Sequence, residues 1–433
     1  MREATIIGGG LAGSELALQL SARDFRVSLV EMRPAGATPA HTTPFLAELV
    51  CSNSLKSENI ETASGLLKKE LQMIGCRLLA EAREARVPAG HALAVDRELF
   101  ASRITERIEN DTGIDIERRE QKGLELPDTS VIATGPLTSD GLSKALEEHF
   151  TSGHLYFYDA ISISIDAGSI EPSVPYRASR YGKGGADYLN IPFSKNEYDR
   201  LVSFLIEAPK TKKRGFEEAL CFDACLPVEV IAGRGTESLS FGPMKPKGLE
   251  DPRTRCEPHA VLQLRQENRE GTMVGLVGFQ TRLTRGAQKE LLKLIPGLSD
   301  AEILRYGAIH RNTYLDAPRL LDGAQMSRYR RGLLFAGQIA GVEGYVESIA
   351  HGLVTALNIA SIEGGGGPLL FPPETILGGL QRHMIEGEER FQPMNANFGL
   401  LPAVKARRKD RKRIYAERSI ERLEAFIGET GHL

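Results

Sequence analysis

Gly8, Gly9, Gly10, Leu11, Ala12 and Gly13, with an acidic Glu31 further on, form a spacing that suits binding of a dinucleotide. The glycine loop follows the short apolar run ATII and opens a helical pattern, and Glu31 ends the next apolar run, RVSLVE. Gly8 allows a tight turn, Gly10 lets backbone N–H groups approach a pyrophosphate, and Gly13 lets the helix pack close to a sheet. The helix N-terminus favours the anion, and Glu31 is expected to hold a ribose hydroxyl. Three glycines alone would be weak evidence; the succession of strand, turn, helix, strand and acid is what the mechanism requires.

The choice between NAD and FAD rests on the far end of the chain. There GLLFAGQIAGVEG reads as a strand running into a second glycine-rich turn, followed by a helical stretch from Tyr345. In flavoproteins a late strand ends in an Ala-Gly pair, and the next helix N-terminus closes the site against the first motif. Gly337 and Gln338 are therefore expected to contact FAD, although Asp is commoner than Gln at the second position. Thr134 and Gly135, ending the buried run SVIATGP, are expected to return to the same nucleotide.

Five cysteines form an odd, sparse set without the paired spacing of a zinc site, so neither a disulfide framework nor a metal is expected. Cys51 lies in the polar stretch ELVCSNSLKSE, and its two readings are a small half-buried residue and a thiolate near a flavin, activated by positive surroundings. Cys225 lies in FDACLP, where Pro227 biases Leu226 towards an extended conformation and places the thiol at a strand end or turn. Cys221, Cys76 and Cys256 read as mostly structural.

These residues must be positioned by a chain of 433 residues, long for a single domain. The expected architecture is α/β, a Rossmann-like, glutathione-reductase-like FAD-binding domain with an inserted smaller α+β domain. Residues 1–150 form the first part of the nucleotide domain, 151–321 the insertion, and 322–433 the second part with a basic, helical C-terminal segment. A helix is expected over 63–85, with Leu66, Leu67, Leu71 and Ile74 on one face. Hydrophobic content of 41% and charged content of 26% suit a soluble globular protein. No run is apolar enough to span a bilayer, and the chain enters a strand at once, so neither a membrane segment nor a secretory leader is expected and the cytoplasm is the default location. The net charge of −3 conceals a basic run from Val404 to Arg422, with nine Lys or Arg against three Asp or Glu. Such a run can track phosphates, or it can be an ordinary solvated helix face.

The chain resembles the folate- and FAD-dependent tRNA (uracil-5-)-methyltransferases through GGGLAGSE, EMRP, TPAH, VCSNSLKSE, RVPAGHALAVDRE, ATGPLTS, FGPMKPKGL, RYGAIHRNTYL, FAGQIAGVEGY and NFGLLP, strings spread over nearly its whole length. The resemblance implies FAD as cofactor, 5,10-methylenetetrahydrofolate as carbon donor, NADPH or NADH as reductant, and tRNA as substrate, modified at uridine 54 of the T-loop. It places catalytic thiols at Cys51 and Cys225, with Cys225 as the nucleophile for uracil C6 and Cys51 as the auxiliary, proton-transferring thiol. Uracil C5 is a poor nucleophile until a thiolate adds at C6, so a cysteine is required. A donor at the formaldehyde oxidation level needs two further electrons, which a flavin supplies. His310 and Arg311 are candidates for the folate. Lys245 suits folate or RNA phosphate, and Lys405 and Arg408 suit RNA. Oligomeric state stays open, and the competing reading is a flavin oxidoreductase acting on a small molecule or on thiols through Cys221 and Cys225.

Overall fold

The computed structural model describes residues 2–36, 38, 40–150, 154–160, 162–182, 185–211, 226–386 and 391–431. The first strand, Arg2–Ile7, is the middle of a five-stranded parallel sheet. Phe25–Glu31 and then Ile114–Arg118 lie to one side of it, Ser130–Ile132 and then Leu333–Phe335 to the other. A strand from near position 334 thus completes a sheet begun at position 2. Parallel sheets bury both faces, and the inner strands here bury Ile6, Val27, Leu29, Val131 and Ile132, while Arg2, Glu3 and Arg26 stay exposed.

Two helices meet over this sheet, Leu11–Ser21 and Tyr345–Glu363. Their approach is close enough that a Cβ on Gly352 would lie 2.2 Å from the Ala12 carbonyl oxygen. The late glycine motif is consequently packed against the first one. Ala63–Met73 and Leu78–Glu84 are separate helices, where the sequence pattern favoured one over 63–85. Gly75 adopts φ +78°, and the buried Glu15 carboxylate accepts the N–H groups of Arg77 and Leu78 at 2.9 and 2.8 Å, opening the second helix. A carboxylate at a helix start satisfies otherwise orphaned donors.

A second apolar core, wholly between Ile163 and Leu298, lies under a six-stranded antiparallel sheet. Its strands run Tyr176–Ala178, Tyr188–Phe193, Ala260–Gln266, Met273–Gln280, Ser162–Asp166 and Ile303–Arg305 in spatial order. The helices Lys195–Glu207 and Arg285–Lys293 supply Leu201, Leu205 and Leu291 to that core. The chain leaves and re-enters the nucleotide fold through an antiparallel ribbon, His154–Ala160 against Ile309–Leu315.

At the C-terminal end a basic helix, Arg411–Thr430, is present as expected, and Lys405, Arg407, Arg408 and Lys409 precede it. Lys405 and Lys409 would be like charges four residues apart on a helix, whereas Arg413 finds Glu417 at 2.7 Å within it. Among the described residues no helix is long and apolar enough to cross a membrane.

Candidate active site

Gly8 adopts φ +106°, the turn that lets the chain leave the first strand. A Cβ on Gly13 would sit 1.9 Å from the Gly8 carbonyl oxygen, so no larger residue fits where the helix crosses the loop. On Gly10, the N-cap of the helix, a Cβ would meet nothing within 4 Å. That open side faces a cleft lined by Gly8, Gly10, Glu31, Arg119, Thr134 and Ser139. The cleft has the form a dinucleotide needs, with glycine backbone, a helix N-terminus and an acid at the tip of the second strand.

Glu31 is held on both oxygens. Oε2 accepts the Gly9 N–H at 2.8 Å, and Oε1 accepts the Arg33 backbone N–H at 3.0 Å and its Nε at 2.9 Å. Burial alone would raise the carboxyl pKa, but the Arg33 hydrogen bond and charge, with the Gly9 N–H, outweigh it and leave Glu31 below its usual range. It is an anion with acceptor capacity to spare on Oε2. Arg33 continues to Glu48 at 3.0 Å, and Glu48 accepts the backbone and hydroxyl groups of Thr42 and Thr43.

This network fixes the approach to Cys51. Ala47 N–H donates to the Gly9 carbonyl at 2.8 Å, tying the segment to the first glycine loop. Cys51 and Ser52 donate their backbone N–H groups to the Tyr345 hydroxyl at 2.7 and 3.1 Å, tying it to the start of the late helix. Arg305 donates to the Val50 carbonyl, and Arg265 Nε to Asn53 Oδ1 at 2.9 Å, tying it to the inserted sheet. Asn53 Nδ2 also bridges the Val95 and Gln266 carbonyls at 2.9 and 3.0 Å. Cys51 therefore stands where the first nucleotide motif, the late motif and the insertion meet. Burial pushes the Tyr345 phenol well above its usual pKa, with Cys51 adding to the effect, so it stays a neutral hydroxyl.

The late motif is held by His351, whose Nδ1 accepts the Gly337 N–H at 2.8 Å. Burial lowers the imidazole pKa to about 4, and Nε2 has no hydrogen-bond partner among the described residues, so the ring is the neutral tautomer protonated there. Gln338 Nε2 donates to Glu343 Oε2 at 2.6 Å. Leu11 and Ala12, in the first turn after the loop, are buried, and Thr134 Oγ1 and Thr138 Oγ1 share a hydrogen bond of 2.6 Å.

The other sequence candidates stand apart from this junction or outside the described residues. Cys225 and Cys221 are among the latter; beyond them, Pro227 is the N-cap of the helix Val228–Gly233. The His310 and Arg311 backbones pair with Asp159 and Tyr158 in the ribbon, and their side chains are not described. Lys245 is exposed on the turn after the helix Ser238–Phe241, and Lys405 and Arg408 are exposed ahead of the last helix. Arg33, Arg265, Arg305, Tyr345 and His351 were not singled out from sequence. Arg33, Arg305 and Tyr345 nonetheless fall within EMRP, RYGAIHRNTYL and FAGQIAGVEGY, strings that carry the resemblance. Among the described residues no cluster could hold a metal ion.

A family model described as "Glucose inhibited division protein A" matches residues 3–364. The "Methylenetetrahydrofolate--tRNA-(uracil-5-)-methyltransferase TrmFO" of Geobacter sulfurreducens is 51% identical over 427 residues, covering 98% of each chain. The protein of the same name from Aquifex aeolicus is 47% identical over 427 residues, covering 98% of this chain and 96% of that one. Among solved structures, GidA of Aquifex aeolicus superposes with a TM-score of 0.72 at 16% identity, covering 100% of this chain and 74% of that chain, which shows that the two share a fold. Matched end to end at about half identity by these relatives, the chain belongs to the TrmFO family of methylenetetrahydrofolate--tRNA-(uracil-5-)-methyltransferases, within the glucose inhibited division protein A group.

Proposed function

We propose that this protein is an FAD-dependent methyltransferase that forms 5-methyluridine in tRNA, at uridine 54 of the T-loop. It takes the carbon from 5,10-methylenetetrahydrofolate and its reducing power from NADPH or NADH. The observation that carries this reading is the placing of Cys51 at the meeting of both nucleotide motifs and the inserted domain. Gly8 to Gly13, Glu31, Thr134, Gly135, Gly337 and Gln338 are the residues that would hold FAD. Bound there, FAD supplies the two electrons that convert a one-carbon unit at the formaldehyde level into a methyl group.

The chain's own residues carry the uracil chemistry. Cys225 is assigned the addition to C6, which raises electron density at C5. Cys51, held on its backbone by Tyr345, is assigned the proton-transferring thiol. A uridine in a folded loop must leave its stack to reach these groups. The exposed Lys405 and Arg408 are assigned to RNA phosphates, Lys245 to phosphate or folate carboxylate, and His310 and Arg311 to folate. The enzyme acts in the cytoplasm.

Nucleoside analysis of unmodified tRNA after incubation with holoprotein, methylenetetrahydrofolate and NADPH tests this reading. It requires 5-methyluridine that disappears when the folate donor is withheld. NADPH consumption with no methylated nucleoside would establish the oxidoreductase alternative instead.

A further inference from the structure

The inserted domain carries an open hollow that the proposed reaction does not use. It measures 620 Å³, within the usual range of about 300–1,000 Å³ for ligand sites, and its lining includes Tyr181, Gly182, Gly248, Glu250, Arg255 and Glu257. It shares no lining residue with the glycine-loop cleft. Tyr181 adopts φ +56° and Arg255 φ +54°, the left-handed region that bulky residues avoid. Gly182 and Gly248 are left-handed as well, at +62° and +82°. Strained backbone of this kind persists only where its surroundings impose it, and it gathers at ligand clamps.

Two backbone contacts hold Tyr181 in place. Its N–H donates to the Gly248 carbonyl at 2.9 Å, and Arg180 Nη1 donates to the Lys247 carbonyl at 3.0 Å. A Cβ on Gly248 would come within 2.7 Å of the Tyr181 ring, so only glycine lets the ring lie over that turn. The tyrosine is nonetheless 62% exposed. It follows the strand Tyr176–Ala178, and Ala178 pairs with Tyr188, whose hydroxyl donates to the Ala89 carbonyl of the nucleotide domain at 3.4 Å. The hollow therefore opens beside the seam between the two domains.

Its chemistry suits a nucleobase. The exposed aromatic face can stack, Glu250 and Glu257 offer acceptors to amino groups, and Arg255 offers donors to ring carbonyls. The neighbouring Arg253 pairs with Asp251 at 2.8 Å, whereas Glu250, Arg255 and Glu257 have no ion-pair partner among the described residues. The two acidic side chains disfavour a phosphate inside the hollow. Lys247, exposed, and Arg180, half-buried, stand at the same turn outside its lining and are also without ion pairs among the described residues, so they can meet a phosphate there.

We propose that this hollow binds an unstacked base of the RNA substrate, with the Tyr181 ring as its stacking platform and Lys247 on the adjoining phosphate. The inference rests on the reading of tRNA as substrate. It adds the place where a second nucleotide, other than the one being modified, is held. RNA loops are recognised in this way, through bases that leave the stack and lie on aromatic planes. Stacking tolerates any base, so selection falls to the polar edges of Glu250, Arg255 and Glu257.

The test is binding of an unmodified tRNA transcript to the holoprotein, measured by filter binding over a series of salt concentrations. Tyr181→Ala is expected to weaken binding by about tenfold with an unchanged salt slope, since stacking releases no counterions. Tyr181→Phe, which keeps the ring, is expected to bind as wild type does. Lys247→Gln is expected to lower the slope by about one. Ultraviolet cross-linking of the unaltered protein, read by mass spectrometry, is expected to leave a nucleotide on Tyr181, which frees the test from the folding of any variant. Cross-links confined to other peptides overturn the proposal, as does wild-type affinity in Tyr181→Ala or a Tyr181→Phe protein as weak as Tyr181→Ala. If Tyr181→Ala keeps its tRNA affinity and loses that for methylenetetrahydrofolate, the hollow is a folate site and the proposal falls. Binding is read without methylation: a protein that holds tRNA through Tyr181 but forms no 5-methyluridine would overturn the proposed reaction and uphold this inference.

Discussion

The Tyr345 hydroxyl accepts hydrogen bonds from two consecutive backbone N–H groups, those of Cys51 at 2.7 Å and Ser52 at 3.1 Å. A residue at the start of the late helix thereby sets the position of a thiol 294 residues earlier in the chain. Tyr345→Phe keeps the ring and removes the acceptor, leaving two enclosed donors at a cost of about 1–3 kcal/mol. The expected result is a protein that retains FAD, judged by its visible spectrum, but forms 5-methyluridine at least about tenfold more slowly, since a small misplacement of a reacting group is costly. Unchanged turnover would show that the loop holds Cys51 without Tyr345.

Gly13→Ala should be among the most damaging single methyl additions in the molecule. The added carbon would lie 1.9 Å from the Gly8 carbonyl oxygen and 3.3 Å from Ile6 Cγ2, a clash that only backbone movement relieves. Overpacking of this kind costs about 1–3 kcal/mol and would move the glycine loop itself. Thermal unfolding with and without added FAD checks it: the variant is expected to melt lower and to gain less from FAD than wild type. Gly10→Ala, whose methyl meets nothing within 4 Å, should melt close to wild type without FAD and lose the gain with it.

His351 gives the late motif a pH limit. Its folded pKa is about 4 against an ordinary value of 6.5, with burial as the cause. Below pH 6.5 the unfolded chain takes up a proton that the folded chain refuses, so the stability from the neutral ring is present above that value and is lost as pH falls through about 4. The full loss is about 3 kcal/mol, from about 1.4 kcal/mol per unit. Protonation at Nδ1 would also remove the acceptor of the Gly337 N–H. Chemical denaturation at stepped pH should show falling stability across this window, and His351→Asn should flatten the slope. A slope unaltered in the variant would assign the acid sensitivity elsewhere.

The basic stretch before the last helix should act through charge alone. Lys405 and Arg408 are exposed and, among the described residues, lack acidic partners. Replacing both by Gln should weaken tRNA binding and lower the salt slope of the affinity by about one unit for each phosphate no longer neutralised, whatever the sequence of the RNA. Filter binding over a series of salt concentrations measures that slope. An unchanged slope would leave these residues as solvated surface.

The nucleotide fold was legible because its signals are local. The ATII run, the glycine loop and Glu31 lie within a few tens of residues, and parallel strands announce themselves as apolar runs. The division of the helix expected over 63–85 was not legible, because Gly75 could have been tolerated in a helix and the group that starts the second one, Glu15, lies 62 residues away from Arg77. The thiol of Cys51 was visible as a polar-loop cysteine. Its setting was not, since Arg265 and Arg305 come from strands whose sequences show only β alternation, and Tyr345 reads as an ordinary first-turn residue of a helix. Long-range polar contacts leave no periodic trace in a sequence.

Whether the Cys51 junction is the reaction centre is best decided by transfer of a labelled one-carbon unit from methylenetetrahydrofolate to unmodified tRNA with NADPH, comparing wild type, Cys51→Ala and Cys225→Ala at equal FAD content. Label is expected at uridine C5 with wild type and none above background with either variant. Label reaching C5 undiminished in Cys51→Ala would contradict the assignment of that junction as the place where the methyl group is made.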